Sequence, residues 1–184
     1  MILRENALNF LNQHIQNANM IKHCLASEVV LRAIALKLNE DPEEWGMAGL
    51  LHDIDVEITN GDPLRHGPYS AVMLEGMISP DAIDAIVMHN EAATGKERTT
   101  VFQHALAAGE TITGLIMATA LVYPDKKLAS VKTKSITKRM KEKAFAASVN
   151  RETILECELI GIPLQEFAEL SLAAMQEISD ELGF

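Results

Sequence analysis

Apolar residues recurring at helical intervals constrain this chain more than any other feature. Leu3, Ala7, Leu8, Leu11 and Ile15 form one such series, and a second passes through Met20, Leu25, Val29, Ala33 and Leu36 to about Leu38. A repeat near 3.6 residues lines one face of a helix, so both segments read as helices with a buried stripe. Asp41 before Pro42 supplies a capping carboxylate and a proline for the first turn. It opens a third helix through Trp45, Ala48, Leu50 and Leu51, with His52 and Asp53 near its far end.

Thr59 to Pro63 then breaks the chain as a loop. Further helices are expected from about His66 to Met77, from Ser79-Pro80-Asp81 to near His89, and from about Thr100 to Val122, where Pro124 stops the run. Glu91 to Arg98 is polar, contains Gly95 and reads as a connection. Asn150 and Pro163 mark the starts of two last helices, about Arg151 to Ile160 and Leu164 to Leu182. Aromatic residues make up only 4% of the chain, so Leu, Ile, Val, Ala and nine Met must fill the core, a mixture suited to helices packed on helices. The expected fold is all-α, a single-domain helical bundle over residues 1–184, because this length builds one core and no composition shift marks a boundary.

A net charge of −10 and a pI near 5.0 set an average field that repels phosphate, which argues against extended nucleic acid and anionic membranes as partners. No stretch approaches the roughly 18 uninterrupted apolar residues of a membrane span. Cys24 and Cys157 lack the close spacing of a zinc knuckle or redox motif, and no basic segment leads into an apolar run at the start, so a cytoplasmic location is expected. Against this acidic background, Lys126 to Lys143 holds eight of the sixteen basic residues. Such a run is either a solvated helical face or a local source of positive potential for an anionic substrate. In the second case Lys134, Lys138 and Lys141, at helical spacing, are the candidates for contact with substrate phosphate.

The chemistry concentrates at Leu50-Leu51-His52-Asp53, where an apolar helix ends in an imidazole beside a carboxylate. Burying such groups without partners is costly. His23 lies within the second helical run and can face His52 if the two helices pack antiparallel; His89 closes another apolar helix, Ala85-Ile86-Val87-Met88-His89-Asn90. Taken singly, a histidine on an apolar face is more often a hydrogen-bonded core residue. Taken together, these residues point to a divalent ion, because neutral imidazole and ionised carboxylate direct lone pairs at one positive centre. His14 and His104 have no motif around them and stay outside the site, and the lone Cys24 reads as a small apolar side chain.

The segments Asn19-Met20-Ile21-Lys22-His23-Cys24 and Ala48-Gly49-Leu50-Leu51-His52-Asp53 resemble the HD superfamily of metal-dependent phosphohydrolases. His66-Gly67 with Ala71 and Leu74 looks like that family's downstream segment, the helix ending at His89 resembles its next histidine helix, and Ala107 to Gly114 sits where a closing aspartate is usual. The likeness covers about residues 19–120 in order, with the basic segment and last helices, 124–184, packed on that part. The later segment, from Pro124-Asp125-Lys126-Lys127 through Lys138-Arg139-Met140-Lys141, is similar to a small branch of HDIG-type proteins. Two departures stand out: the closing acid is Glu110, one methylene longer than Asp, and Ile54-Asp55-Val56-Glu57 adds negative charge where many relatives carry Lys.

The resemblance implies that His23, His52, Asp53 and Glu110 bind a first ion and that Asp53 bridges to a second held by His66 and His89. With one ion only, His66 and His89 would contact substrate or move protons, so Asp53, His66 and His89 are the catalytic candidates. The implied cofactor is one or two divalent transition-metal ions (Mn, Fe, Zn, Ni or Co). The implied activity is hydrolysis of a phosphate monoester or a nucleotide-like phosphoanhydride, with a small phosphorylated molecule or nucleotide as partner. Two other functions fit the same residues: a di-iron oxygenase of the HD type, and a non-catalytic nucleotide sensor. The apolar final helix could serve a homodimer as readily as the core.

Overall fold

The first helix, α1 (Arg4–His14), leads into α2 (Ala18–Leu38), whose start is capped by the Asn17 side chain accepting from the amides of Asn19 and Met20. Next come α3 (Pro42–Leu51), α4 (Pro68–Leu74), α5 (Pro80–His89), the single turn α6 (Glu91–Thr94) and the long α7 (Val101–Leu121). The chain closes with α8 (Thr133–Arg139), α9 (Arg151–Leu155), α10 (Leu164–Glu177) and α11 (Ser179–Leu182). This computed structural model describes residues 2–184, and among them there is no strand; the fold is all-α.

The expected caps are in place. The Asp41 carboxylate accepts from the amides of Glu43 and Glu44, and the Ser79 hydroxyl accepts from the Ala82 amide, each with proline at the start of the helix. Thr100 and Gln103 cap α7 reciprocally, each side chain taking the other's backbone amide.

Boundaries shift where the backbone imposes them. The helix expected over 66–77 begins only at Pro68, because Gly67 holds φ at +94°, a conformation open to glycine, and a residue preceding proline avoids the helical region. The helix expected over 151–160 gives way to a 3₁₀ turn at Glu156–Glu158. The one expected over 164–182 breaks at Ile178, beyond which Leu182 packs into the core.

The core is one contiguous apolar cluster with members from Ala7 to Leu182. Its axis is the pair α2 and α7, each 21 residues long, with α3 laid closely along α2. Gly49 permits that approach: a Cβ there would stand 2.6 Å from the backbone oxygen of Ser27. By length and mean hydropathy α7 could cross a membrane, yet it is the central core helix, with most of its apolar residues enclosed by its neighbours. Glu28, buried on α2, receives two hydrogen bonds from Arg4 at 2.6 and 2.8 Å and one from Arg32 at 3.1 Å, which fixes α1 against α2.

Candidate metal centre

Five elements deliver the polar side chains to one place. His23 lies in the first half of α2, His52 caps the end of α3 with Asp53 beside it, His66 precedes α4, His89 is the last residue of α5, and Glu110 sits in α7. After Leu51 the helical pattern yields to tight turns, with the Ile54 amide donating to the Leu51 carbonyl at 3.2 Å and the Val56 amide to the Asp53 carbonyl at 3.0 Å. The Thr59 hydroxyl donates to the Asp55 carbonyl at 2.8 Å and closes this coil. The histidine–aspartate pair therefore stands where the helix unwinds.

Asp53 is the hub. Its Oδ1 lies 3.1 Å from Nε2 of His66, 3.4 Å from Nε2 of His52 and 3.5 Å from Nε2 of His89, and its Oδ2 lies 3.7 Å from Nε2 of His23. The imidazoles also pair, Nε2 to Nε2, at 3.1 Å for His23 with His52 and 3.0 Å for His66 with His89. The donor atoms fall into two trios, His23 with His52 and Asp53, and Asp53 with His66 and His89, and within each trio all lie within 4.8 Å of one another. Glu110 belongs to neither trio but stands at the edge of the first, its Oε2 3.6 Å from Nε2 of His23.

The other nitrogen of every imidazole is spoken for. Nδ1 of His52 donates to the Gly49 carbonyl at 2.8 Å, Nδ1 of His89 to the Ile86 carbonyl, and Nδ1 of His66 to the Asp55 carboxylate at 2.7 Å. The Thr113 hydroxyl gives its proton to the Glu110 carbonyl at 2.6 Å, so it accepts from Nδ1 of His23 at 3.0 Å. These acceptors assign each neutral imidazole to the Nδ1–H tautomer, with the Nε2 lone pair facing inward. Where both rings of a couple are neutral, lone pairs face one another at 3.0–3.1 Å, an arrangement relieved either by a proton on one ring or by a cation held between or beside them. The donor set fits divalent transition ions.

The electrostatics agree with a cation-binding centre. Burial pushes the His52 pKa down to about 3, keeping this imidazole neutral. Burial alone would raise Asp53, but its electrostatic interaction with the surrounding histidines, His52 first, and hydrogen bonding with His66 outweigh it and hold the carboxyl well below the usual range. Glu110 is raised by its burial, only partly offset by His23 and His89. The Cys24 thiol is pushed well up, by burial first and by Asp53 second, and stays protonated.

A cavity of about 330 Å³ opens on this cluster, with His23, His89 and Glu110 on its floor and Thr111, Gly114, Ser148, Val149, Asn150 and Thr153 as its walls. Lys134, Lys138 and Lys141 are not among the lining residues. All three are exposed, α8 ends at Arg139 before Lys141, and Lys138 borders a different cavity with Tyr123, Pro124 and Ser135. The walls come from α7 and from the segment before and within α9.

Several contributors carry no recognisable pattern in the sequence. Asp55, which reads as added negative charge, is fully buried and orients His66; Thr113 does the same for His23. Asn90 donates from Nδ2 to the carbonyls of Pro63 and His66 at 2.8 and 2.9 Å, tying the end of α5 to the turn that bears His66. His14 and His104 lie elsewhere: His14 donates to the Phe10 carbonyl, and His104 pairs with Glu156 at 2.7 Å. The family model described as HD domain matches residues 20–121, more than half of the chain. Comparison with curated proteins and with solved structures finds no match.

Proposed function

This chain belongs to the HD-domain family, whose members are mostly metal-dependent hydrolases, and we propose that it is a phosphohydrolase acting on a small phosphate monoester. The observation that carries the reading is the sharing of Asp53 by two donor trios whose Nε2 atoms all turn inward. In this reading His23, His52, Asp53 and Glu110 would hold one divalent ion, and Asp53, His66 and His89 would hold a second. Imidazole and carboxylate donors suit Mn, Fe, Zn, Ni or Co. Bound ions supply Lewis acidity toward water and toward the phosphoryl oxygens.

The chain's own groups bind and orient. Thr113, Gly49, Asp55 and Ile86 fix the four imidazole rings through Nδ1, so the ligand geometry exists before substrate arrives. Thr111, Ser148, Asn150 and Thr153 offer hydroxyl and amide groups to the organic part of the ester. No lysine or arginine lines the cavity, so a second or third phosphate would find no cationic side chain in its walls. That absence, and the modest cavity, favour a monoester over a phosphoanhydride.

The test is release of inorganic phosphate from sugar phosphates, nucleoside monophosphates and nucleoside triphosphates in the presence of Mn²⁺. Turnover of a monoester, lost in Asp53→Ala, is the expected result. Absence of phosphate release from every compound, by protein shown to hold the metal, overturns the reading.

A further inference from the structure

Arg98 lies in the segment between α6 and α7, outside the matched histidines and acids, and its side chain is only 4% exposed. Its guanidinium makes two kinds of contact. Nε and Nη2 form a fork on the two oxygens of Glu156, at 2.7 and 2.5 Å, and His104 of α7 donates to one of those same oxygens. Nη1 donates to the backbone carbonyls of Met88 and His89 at 3.0 and 3.2 Å. Those carbonyls end α5 and have no further helical turn to satisfy them, so the guanidinium caps the helix with charge as well as hydrogen bonds.

The residue so capped is a member of the cluster. His89 has its ring held from within α5 through the Ile86 carbonyl, so the position of its Nε2 depends on where the last turn of α5 ends. Arg98 fixes that turn to Glu156 and, through His104, to α7, the helix that carries Glu110. Asn90, the next residue, fixes the same turn to the carbonyl of His66. Arg98 on one side and Asn90 on the other thus determine how His89 meets His66 and Asp53.

The geometry points to Arg98 as a positioning residue for the half of the centre formed by His66, His89 and Asp53, acting on His89 through the carbonyls of α5; this rests on the reading of the cluster as a metal centre. Removing the guanidinium leaves the carbonyls of Met88 and His89 without their side-chain donor and Glu156 with His104 alone, and the last turn of α5 loses its fixed end. The first trio, His23 with His52 and Asp53, is built from α2 and α3 and does not depend on that turn.

The experiment is equilibrium titration with Mn²⁺ of wild type, Arg98→Met and Arg98→Lys, alongside nitrogen NMR of the imidazoles in the metal-free proteins. Arg98→Met should weaken the second ion by about 10-fold or more, the scale of a lost outer-shell partner, and leave the first ion within about twofold of wild type. Arg98→Lys, which keeps the charge but not the fork, should fall between them. In the metal-free state His89 should change from a single Nδ1–H tautomer in wild type to a mixture in Arg98→Met, while His52 keeps its own signal.

Wild-type affinity for both ions in a folded Arg98→Met protein, with His89 unchanged, overturns the inference. If Arg98→Met does not fold, the same criteria apply to Arg98→Lys. A wild-type protein that binds no ion refutes the metal reading instead, and the His89 tautomer then still decides whether Arg98 positions that ring.

Discussion

Asp55 accepts a 2.7 Å hydrogen bond from Nδ1 of His66, and its second oxygen takes the amides of Gly67 and Ser70 at 2.9 and 3.0 Å. Burial alone would raise this carboxyl, but the hydrogen bond from His66, its charge, and the two amides hold it below the usual range. A buried carboxylate with its oxygens so engaged is a fixed anchor, and it decides where the Nε2 of His66 points.

Asp55→Ala is therefore expected to weaken the ion held by His66 and His89 by roughly 10–100-fold, with Asp55→Asn milder because it keeps an acceptor oxygen. Competition against a chelator of known affinity measures this. Metal affinity unchanged in a folded Asp55→Ala protein would contradict the role given to Asp55.

The same contact makes metal binding depend on pH. Burial lowers the pKa of His66, but hydrogen bonds to Asp53 and Asp55 and their charges outweigh it and raise it to about 10 in the metal-free fold. The folded value stands above the unfolded value of about 6.5, so the stability contributed by the charged ring is complete below that pH. It is lost as pH rises toward 10. An incoming ion must displace this proton, so apparent metal affinity should rise with pH, and calorimetry in buffers of different ionisation enthalpy should detect proton release near neutrality. Binding with no proton release would show that His66 is not displaced to the neutral form.

Glu110 is expected to serve the other ion. Glu110→Ala should weaken the ion at His23 and His52 by at least about 10-fold while sparing the one at His66 and His89, and Glu110→Asp should restore part of the loss. Titrations that resolve the two binding events distinguish this from a general loss of structure. Equal weakening of both ions would place Glu110 outside the first trio's coordination.

The helices, with His52 and His89 closing two of them, were legible in the sequence through local rules: a 3.6-residue period, proline-marked starts, and ligand types at the ends of apolar helices; His66 and Glu110 were found only through the resemblance to a known family. Asp55 and Thr113 were not, because their roles arise from hydrogen-bond directions created only when the coil after α3 and the face of α7 meet the rings of His66 and His23. The lysine series lies outside the lining of the cavity over the cluster for a related reason. Spacing can put Lys134, Lys138 and Lys141 on one face, but it does not say where α8 ends or which cavity that face borders. Asn150 reads as a helix start and is one; that its neighbours also wall the cavity depends on α9 lying against α7.

Packing between α2 and α3 supplies a prediction independent of metal. A Cβ at position 49 would be 2.6 Å from the Ser27 oxygen and 2.8 Å from its carbonyl carbon, both backbone atoms that cannot rotate away. Gly49→Ala should destabilise the fold by about 1–3 kcal/mol, readable as a lower denaturant midpoint, and should disturb His52, whose Nδ1 donates to the Gly49 carbonyl. An unchanged midpoint would contradict the close approach of the two helices.

Histidines from α2, the end of α3, α5 and the turn before α4 converge with Asp53, and the proposed function requires that they bind divalent ions there. Elemental analysis after equilibrium dialysis against Mn²⁺ or Fe²⁺ without oxygen, comparing wild type with a folded Asp53→Ala variant, tests it most directly. The account predicts about two equivalents of ion per wild-type chain and loss of both in the variant, because the two trios share that carboxylate. Wild-type protein that retains no more metal than Asp53→Ala would contradict it.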